Sequence, residues 1–167
     1  MRIFKEEQRF TQPLILVILI MSGLVVIGLT TKEYMAENSN MKTVEFITVL
    51  GGYFAFTLPI FFFKLITRID EKGIHYRFFP FHRKFRTLFW PEIKTASVRK
   101  YDAISEYGGW GLKGFFGKRG RAINVKGDIG IQLYLTNAKA FLIGTQKENE
   151  AKSVLETYKH KLHSESE

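Results

Sequence analysis

The chain has 167 residues, with 25 Lys and Arg against 16 Asp and Glu, a formal net charge of +9, and no Cys. That length leaves room for one modest core once apolar spans are set aside, and the lack of Cys excludes a disulfide framework and a thiolate metal site. The charge is uneven: residues 1–13 carry three Lys/Arg against two acids, residues 32–45 two against three, and residues 64–167 twenty against eleven.

Met1 to Gln12 is polar and mildly basic, with Arg2, Lys5 and Arg9 ahead of Pro13. From Phe10 to Thr31 no charged residue occurs, and a helix over about residues 12–31 has the length of a hydrocarbon core of ~30 Å. A cleavable signal peptide is the competing reading, but the segment is long for one and no Ala-x-Ala site follows it. Lys32 to Glu45 is a polar, slightly acidic loop. Phe46 to Phe63 is again free of charge, and its ~27 Å helical length predicts a second span over about residues 46–65. Gly51 and Ala55, four residues apart, are the expected contact with the first helix, and Pro59 is an expected kink. Neither apolar stretch, Phe10–Thr31 or Phe46–Phe63, holds an Asp, Glu, Lys, Arg or His, so the usual mark of an ion or substrate pathway is missing. Basic residues gather outside the loop, at Arg2, Lys5 and Arg9 and at Lys64, Arg68 and Lys72. The positive-inside rule therefore predicts a multi-pass inner (plasma) membrane protein with both termini cytoplasmic. The expected division is a tail and hairpin over 1–66 and a soluble domain over 67–167.

After Lys64 the apolar period becomes two. Strands are expected over Leu65–Asp70, Ile74–Phe79, Arg83–Phe89, Lys94–Tyr101, Arg121–Lys126, Ile129–Leu135 and Ala140–Ile143, with turns at Glu71-Lys72-Gly73, Pro80, Trp90–Ile93, Gly127-Asp128 and Thr136–Lys139. From Gln146 to about Leu162 the period is helical, with Ala151, Val154, Leu155, Tyr158 and Leu162 on one stripe. The expected fold class is α+β: a two-helix transmembrane hairpin, then a seven-stranded antiparallel, strongly bent sheet or barrel capped by a C-terminal amphipathic helix.

Three stretches, Thr67–Arg77, Arg86–Ile93 and Phe141–Gln146 leading into the helix, resemble bacterial membrane proteins that carry a pleckstrin-homology-like (PH-like) domain behind a two-helix hairpin. The likeness covers most of residues 64–162. It implies a binding platform for lipids, peptides or sister domains in a family of uncharacterised function. Members that bind phosphoinositides use a basic loop between the first two strands; here that turn is only Glu71-Lys72-Gly73, which does not provide one.

Glu106 to Arg121 packs six Gly, four aromatics and four basic residues into one stretch. Gly109–Gly114 formally matches GxGxxG, but no helix follows, and Lys118 is followed by Arg119 rather than Ser or Thr, so neither a dinucleotide nor a phosphate loop is expected. Either the glycines let a long loop fold tightly around a buried Trp110, or Trp110, Lys113, Phe115, Phe116, Lys118, Arg119 and Arg121 form an aromatic, cationic contact for anionic lipid headgroups or a protein partner. Phe78 to Arg86 interleaves four Phe with His82, Arg83, Lys84 and Arg86; a hairpin with core aromatics and a solvated charged face is the plainer reading, a membrane-facing surface the bolder one. His75, His82, His160 and His163 are scattered, and no HExxH, GxSxG or paired-carboxylate spacing occurs, so no catalytic, metal or cofactor site is expected. The resulting expectation is a non-enzymatic binding or assembly module at the inner leaflet. The alternative is a structural subunit acting through self- or hetero-association. The bilayer is the expected partner, and nucleic acid is not.

Overall fold

The structure, a computed structural model, describes residues 3–10, 12–114 and 120–162. It divides into a helical unit, Phe10–Phe62, and a strand-rich unit built from Met1–Arg9 together with Phe63–Glu167. This division differs from the boundary expected at residue 66, because a segment ahead of the first helix belongs with the strands.

The helical unit holds α1 (Pro13–Tyr34) and α2 (Thr43–Thr57), the latter running on as a 3-10 turn over Leu58–Phe62. Over an 18-residue window the mean hydropathy reaches 2.7 within Pro13–Tyr34 and 1.6 within Thr43–Phe62, so both are long and apolar enough to cross a membrane. Pro59 accounts for the change of winding: it has no N–H to continue the α-helical ladder. The two helices meet at a different place from the one expected. Nothing approaches Gly51, whereas a Cβ at Gly23 would lie 3.2 Å from the Tyr53 hydroxyl oxygen. Tyr53 needs that space because its hydroxyl donates to the Leu19 carbonyl at 2.7 Å and lies 2.9 Å from Ser22 Oγ. In an apolar medium a phenol without partners is costly, so the polar contact decides which small residue faces the neighbour.

Among the described residues the strand-rich unit has nine strands in two sheets, neither closed into a barrel. The first sheet runs in the order β1 (Phe4–Arg9), β2 (Lys64–Asp70), β3 (Gly73–Phe79), β4 (Arg86–Phe89) and is antiparallel throughout. Trp90–Glu92 then form a 3-10 corner, where Pro91 supplies no ladder donor and the chain crosses to the second sheet. That sheet is built from β5 (Ile93–Lys100), β6 (Gly111–Lys113), β7 (Arg121–Asn124), β8 (Ile129–Leu135) and β9 (Ala140–Gly144), in the order β5-β8-β9-β7-β6. The single seven-stranded antiparallel sheet expected from the sequence is therefore corrected on three counts. There are two sheets, β1 and β6 are additional strands, and β7 runs parallel to β9 because the chain reverses into β8 and again into β9, which lies between β8 and β7.

β1 is the unexpected element. Its inward residues are Phe4, Glu6 and Gln8, two of them polar, so the stretch carries no apolar alternation to reveal it. Register pairs Phe4 with Ile69 and Arg9 with Lys64, so the helical unit is inserted between two neighbouring strands. A helix, α4 (Glu148–Tyr158), follows β9, buries the expected Ala151, Val154, Leu155 and Tyr158, and packs against β1, β5 and β8. Leu65, Ile69, Ile74, Phe78, Leu133 and Ile143 are fully or almost fully buried between these layers.

Candidate functional site

The described parts of the glycine-rich stretch, 106–114 and 120–121, include the end of a short helix and two strand segments. Asp102 accepts hydrogen bonds from the Ile104 and Ser105 N–H groups at 2.8 and 2.9 Å, which starts the short helix α3 (Ala103–Tyr107), and Gly108 ends it at φ +72°. Trp110 is half-buried and packs with Tyr107 on Tyr101, Ala103, Ala122 and Leu142, and its indole N–H donates to the Gly127 carbonyl at 3.3 Å. Lys113 is half-buried at the end of β6, opposite Ala122. Arg121 is exposed at the start of β7. Phe115, Phe116, Lys118 and Arg119 lie outside the described residues. Gly120 is required at its position: with φ +85°, a Cβ there would collide with the Ala140 carbonyl oxygen.

Beside this stretch a cleft of about 840 Å³ opens between the two sheets, walled by Tyr76 and Leu88 from the first and by Gln132, Tyr134 and Phe141 from the second. At its base the Arg99 guanidinium is bidentate to Glu106, at 2.7 and 3.1 Å, and also donates to Gln132 Oε1 at 3.0 Å. The hydrogen bonds that Arg99 donates to Glu106 push its pKa up, against the opposing effect of burial. Tyr76, raised chiefly by burial, carries Arg86 and Arg121 as its charged neighbours, and this brings the two basic stretches of the sequence together around one phenol. Chemically the cleft offers phenol hydroxyls, cationic groups and apolar walls, a set suited to binding. Among the described residues no three His, Asp or Glu side chains converge on a possible metal position.

No protein-family model matches the chain, and no curated protein sequence does. The cleft therefore has to be read from its own residues. Arg99, Glu106, Gln132 and Tyr107 come from β5, α3 and β8, and nothing local in sequence marks them as neighbours.

Tyr101, under Trp110, gives a pH prediction. The ring is buried, the hydroxyl lies beside Asn124 and Gly144, and burial pushes the phenol up to about 12, with only partial relief from Asn124. A folded-state value above the ordinary 10 means that stability is intact below pH 10 and is lost as pH rises from 10 towards 12, by about 2–3 kcal/mol. Chemical denaturation across that range is expected to show a shallower alkaline loss for Tyr101→Phe than for the parent. Identical slopes would mean that the phenol is free to ionise in the folded state.

Proposed function

We propose that the protein is a non-enzymatic integral membrane protein, crossing twice with both ends cytoplasmic, whose PH-like strand-rich unit serves as a binding and assembly module at the inner leaflet. The observation that carries this reading is the insertion of an apolar helical hairpin between β1 and β2, with Arg9 paired to Lys64. A hairpin that leaves and re-enters one sheet at paired residues has both its ends on the same side. Signal cleavage behind α1 would also strip β1 from its sheet, which favours retained spans over a leader. The cleft, with Tyr134 half-exposed at its wall and Arg121 beside it, supports binding over chemistry.

The test uses a chain in which Arg9 is joined to Lys64 by an Asn-Gly turn in place of the hairpin. The Arg9–Lys64 pairing permits that closure. This domain is expected to sediment with phosphatidylglycerol vesicles at low salt and to be released at high salt. Changing Lys113, Lys118, Arg119 and Arg121 together to Gln is expected to weaken binding by about 4 kcal/mol before screening, at about 1 kcal/mol per charge. A folded domain that ignores the vesicles rejects the lipid platform and leaves assembly through protein contacts. Crosslinking of the full chain in native membranes then decides that alternative, and recovery of monomers alone rejects it.

A further inference from the structure

We infer that the turn between β3 and β4, residues 79–85, is an interfacial anchor that sets its aromatic rings into an anionic lipid surface beside the end of the second span. This rests on the reading of the apolar helices as membrane-spanning and adds a docking surface distinct from the glycine-rich stretch. Phe79, Phe81 and Phe85 are 44%, 60% and 46% exposed, against the expectation that the aromatics of this segment lie in the core. Three exposed Phe within seven residues form an apolar surface that water disfavours. They alternate with Arg83, Lys84 and Arg86, and no acid occurs between Glu71 and Glu92. Aromatic rings beside Lys and Arg match the layered chemistry of a lipid interface, where rings sit at headgroup depth and cations meet phosphates.

Position within the unit selects the lipid over another partner. Phe79 pairs with Lys64 at the first residue of β2, and the Phe81 ring lies 5.6 Å from the Phe63 ring. Phe63 is bonded directly to Phe62, the last residue of the candidate span. A span ends at the interface, so its next residue and the ring touching it lie at that depth. The opposite end of the β2–β3 pair carries Asp70 and Glu71, so these two acids sit at the far end from the basic turn, while Glu7 of β1 at the near end is paired with Lys64 at 2.7 Å. The turn is also set in advance. The His82 N–H donates to the Phe78 carbonyl at 2.7 Å, the Phe78 N–H donates to His82 Nδ1 at 3.3 Å, and Phe81 stacks on buried Phe78 at 5.8 Å. Rings held in place lose little side-chain freedom on entering lipid, which favours docking.

The chain has no Cys, so one introduced thiol can carry a unique spin label. Full-length Phe81→Cys and Phe85→Cys, labelled in vesicles of phosphatidylcholine and phosphatidylglycerol, are expected to be more accessible to oxygen than to an aqueous nickel chelate. Phe89→Cys, at the other end of β4, is expected to show the reverse. Changing Arg83, Lys84 and Arg86 to Gln is expected to lower the docking equilibrium on the order of a hundredfold before screening, moving the label at 81 towards water. Labels at 81 and 85 as water-accessible as that at 89 overturn the proposal, as do labels shielded from both reagents, which would mean a protein covers the turn. A label at Leu24→Cys separates the two readings: lipid-exposed there with 81 in water sinks the anchor alone, and water-exposed at both sinks the membrane reading with it.

Discussion

Glu6→Ala is expected to destabilise the strand-rich unit by about 3–5 kcal/mol. The Glu6 carboxylate is buried and accepts from the Thr145 hydroxyl at 2.6 Å and from the Gln146 N–H at 2.7 Å, on the far side of the chain from β1. Truncation leaves the buried Thr145 hydroxyl and the part-buried Gln146 N–H without that acceptor, and hydrogen bonds to a charged group are the stronger kind. Against a total stability of about 5–15 kcal/mol, the loss is a large fraction. Gln8, one pair further along, donates from Nε2 to the Gly144 carbonyl at 2.7 Å, so the same strand is fastened at two points to the end of β9. Glu6→Gln keeps one acceptor oxygen and the shape, and is expected to lose less than Ala. Urea unfolding of the detergent-solubilised protein, followed by Trp fluorescence, reads both variants. A midpoint that does not move with Glu6→Ala would mean that β1 frays independently of the sheet.

This polar seam also explains what the sequence could show and what it could not. The period-two runs after Lys64 and the helical stripe of Ala151, Val154, Leu155 and Tyr158 correspond to real elements, because each buries its apolar residues on one face and the pattern survives in one dimension. β1 buries Glu6 and Gln8 instead, partnered 139 and 136 residues away, and no local window carries that information. α3 was legible in principle, since Asp102 and Gly108 bracket it with a cap at each end, but the density of glycine around it points to a loop. β6 is three residues long and exists because β7 pairs with it, a non-local cause. For the candidate site, Trp110 and Arg121 were visible as residue types, whereas the cleft that Arg121 lines is walled by side chains of both sheets. The Phe79–Phe85 turn shows the converse: the pattern of Phe and basic residues was plain in the sequence, and only the burial of each ring separates core from surface.

Trp90→Ala is expected to cost about 3–5 kcal/mol and to release α4 from the first sheet. The indole is 2% exposed at the corner between the two sheets, its N–H donates to the Asp70 carbonyl at 2.9 Å, and its ring stacks on Tyr158 at 5.4 Å with 29° between the planes. One side chain thus ties the β2–β3 turn, the crossing into β5 and the last turn of α4. The three contributions separate by substitution. Trp90→Phe retains an apolar ring but leaves the Asp70 carbonyl without its donor, expected at about 1–2 kcal/mol. Tyr158→Leu retains burial while removing the ring pair, expected at about 1 kcal/mol. Because an isolated eleven-residue helix is marginal in water, α4 depends on this platform for its helicity. Amide hydrogen exchange is therefore expected to show Val154 and Leu155 losing protection in Trp90→Ala before the β2–β3 pair does. Equal loss across both regions would mean that the corner is an inseparable part of one core, and unchanged protection of α4 would place its support elsewhere.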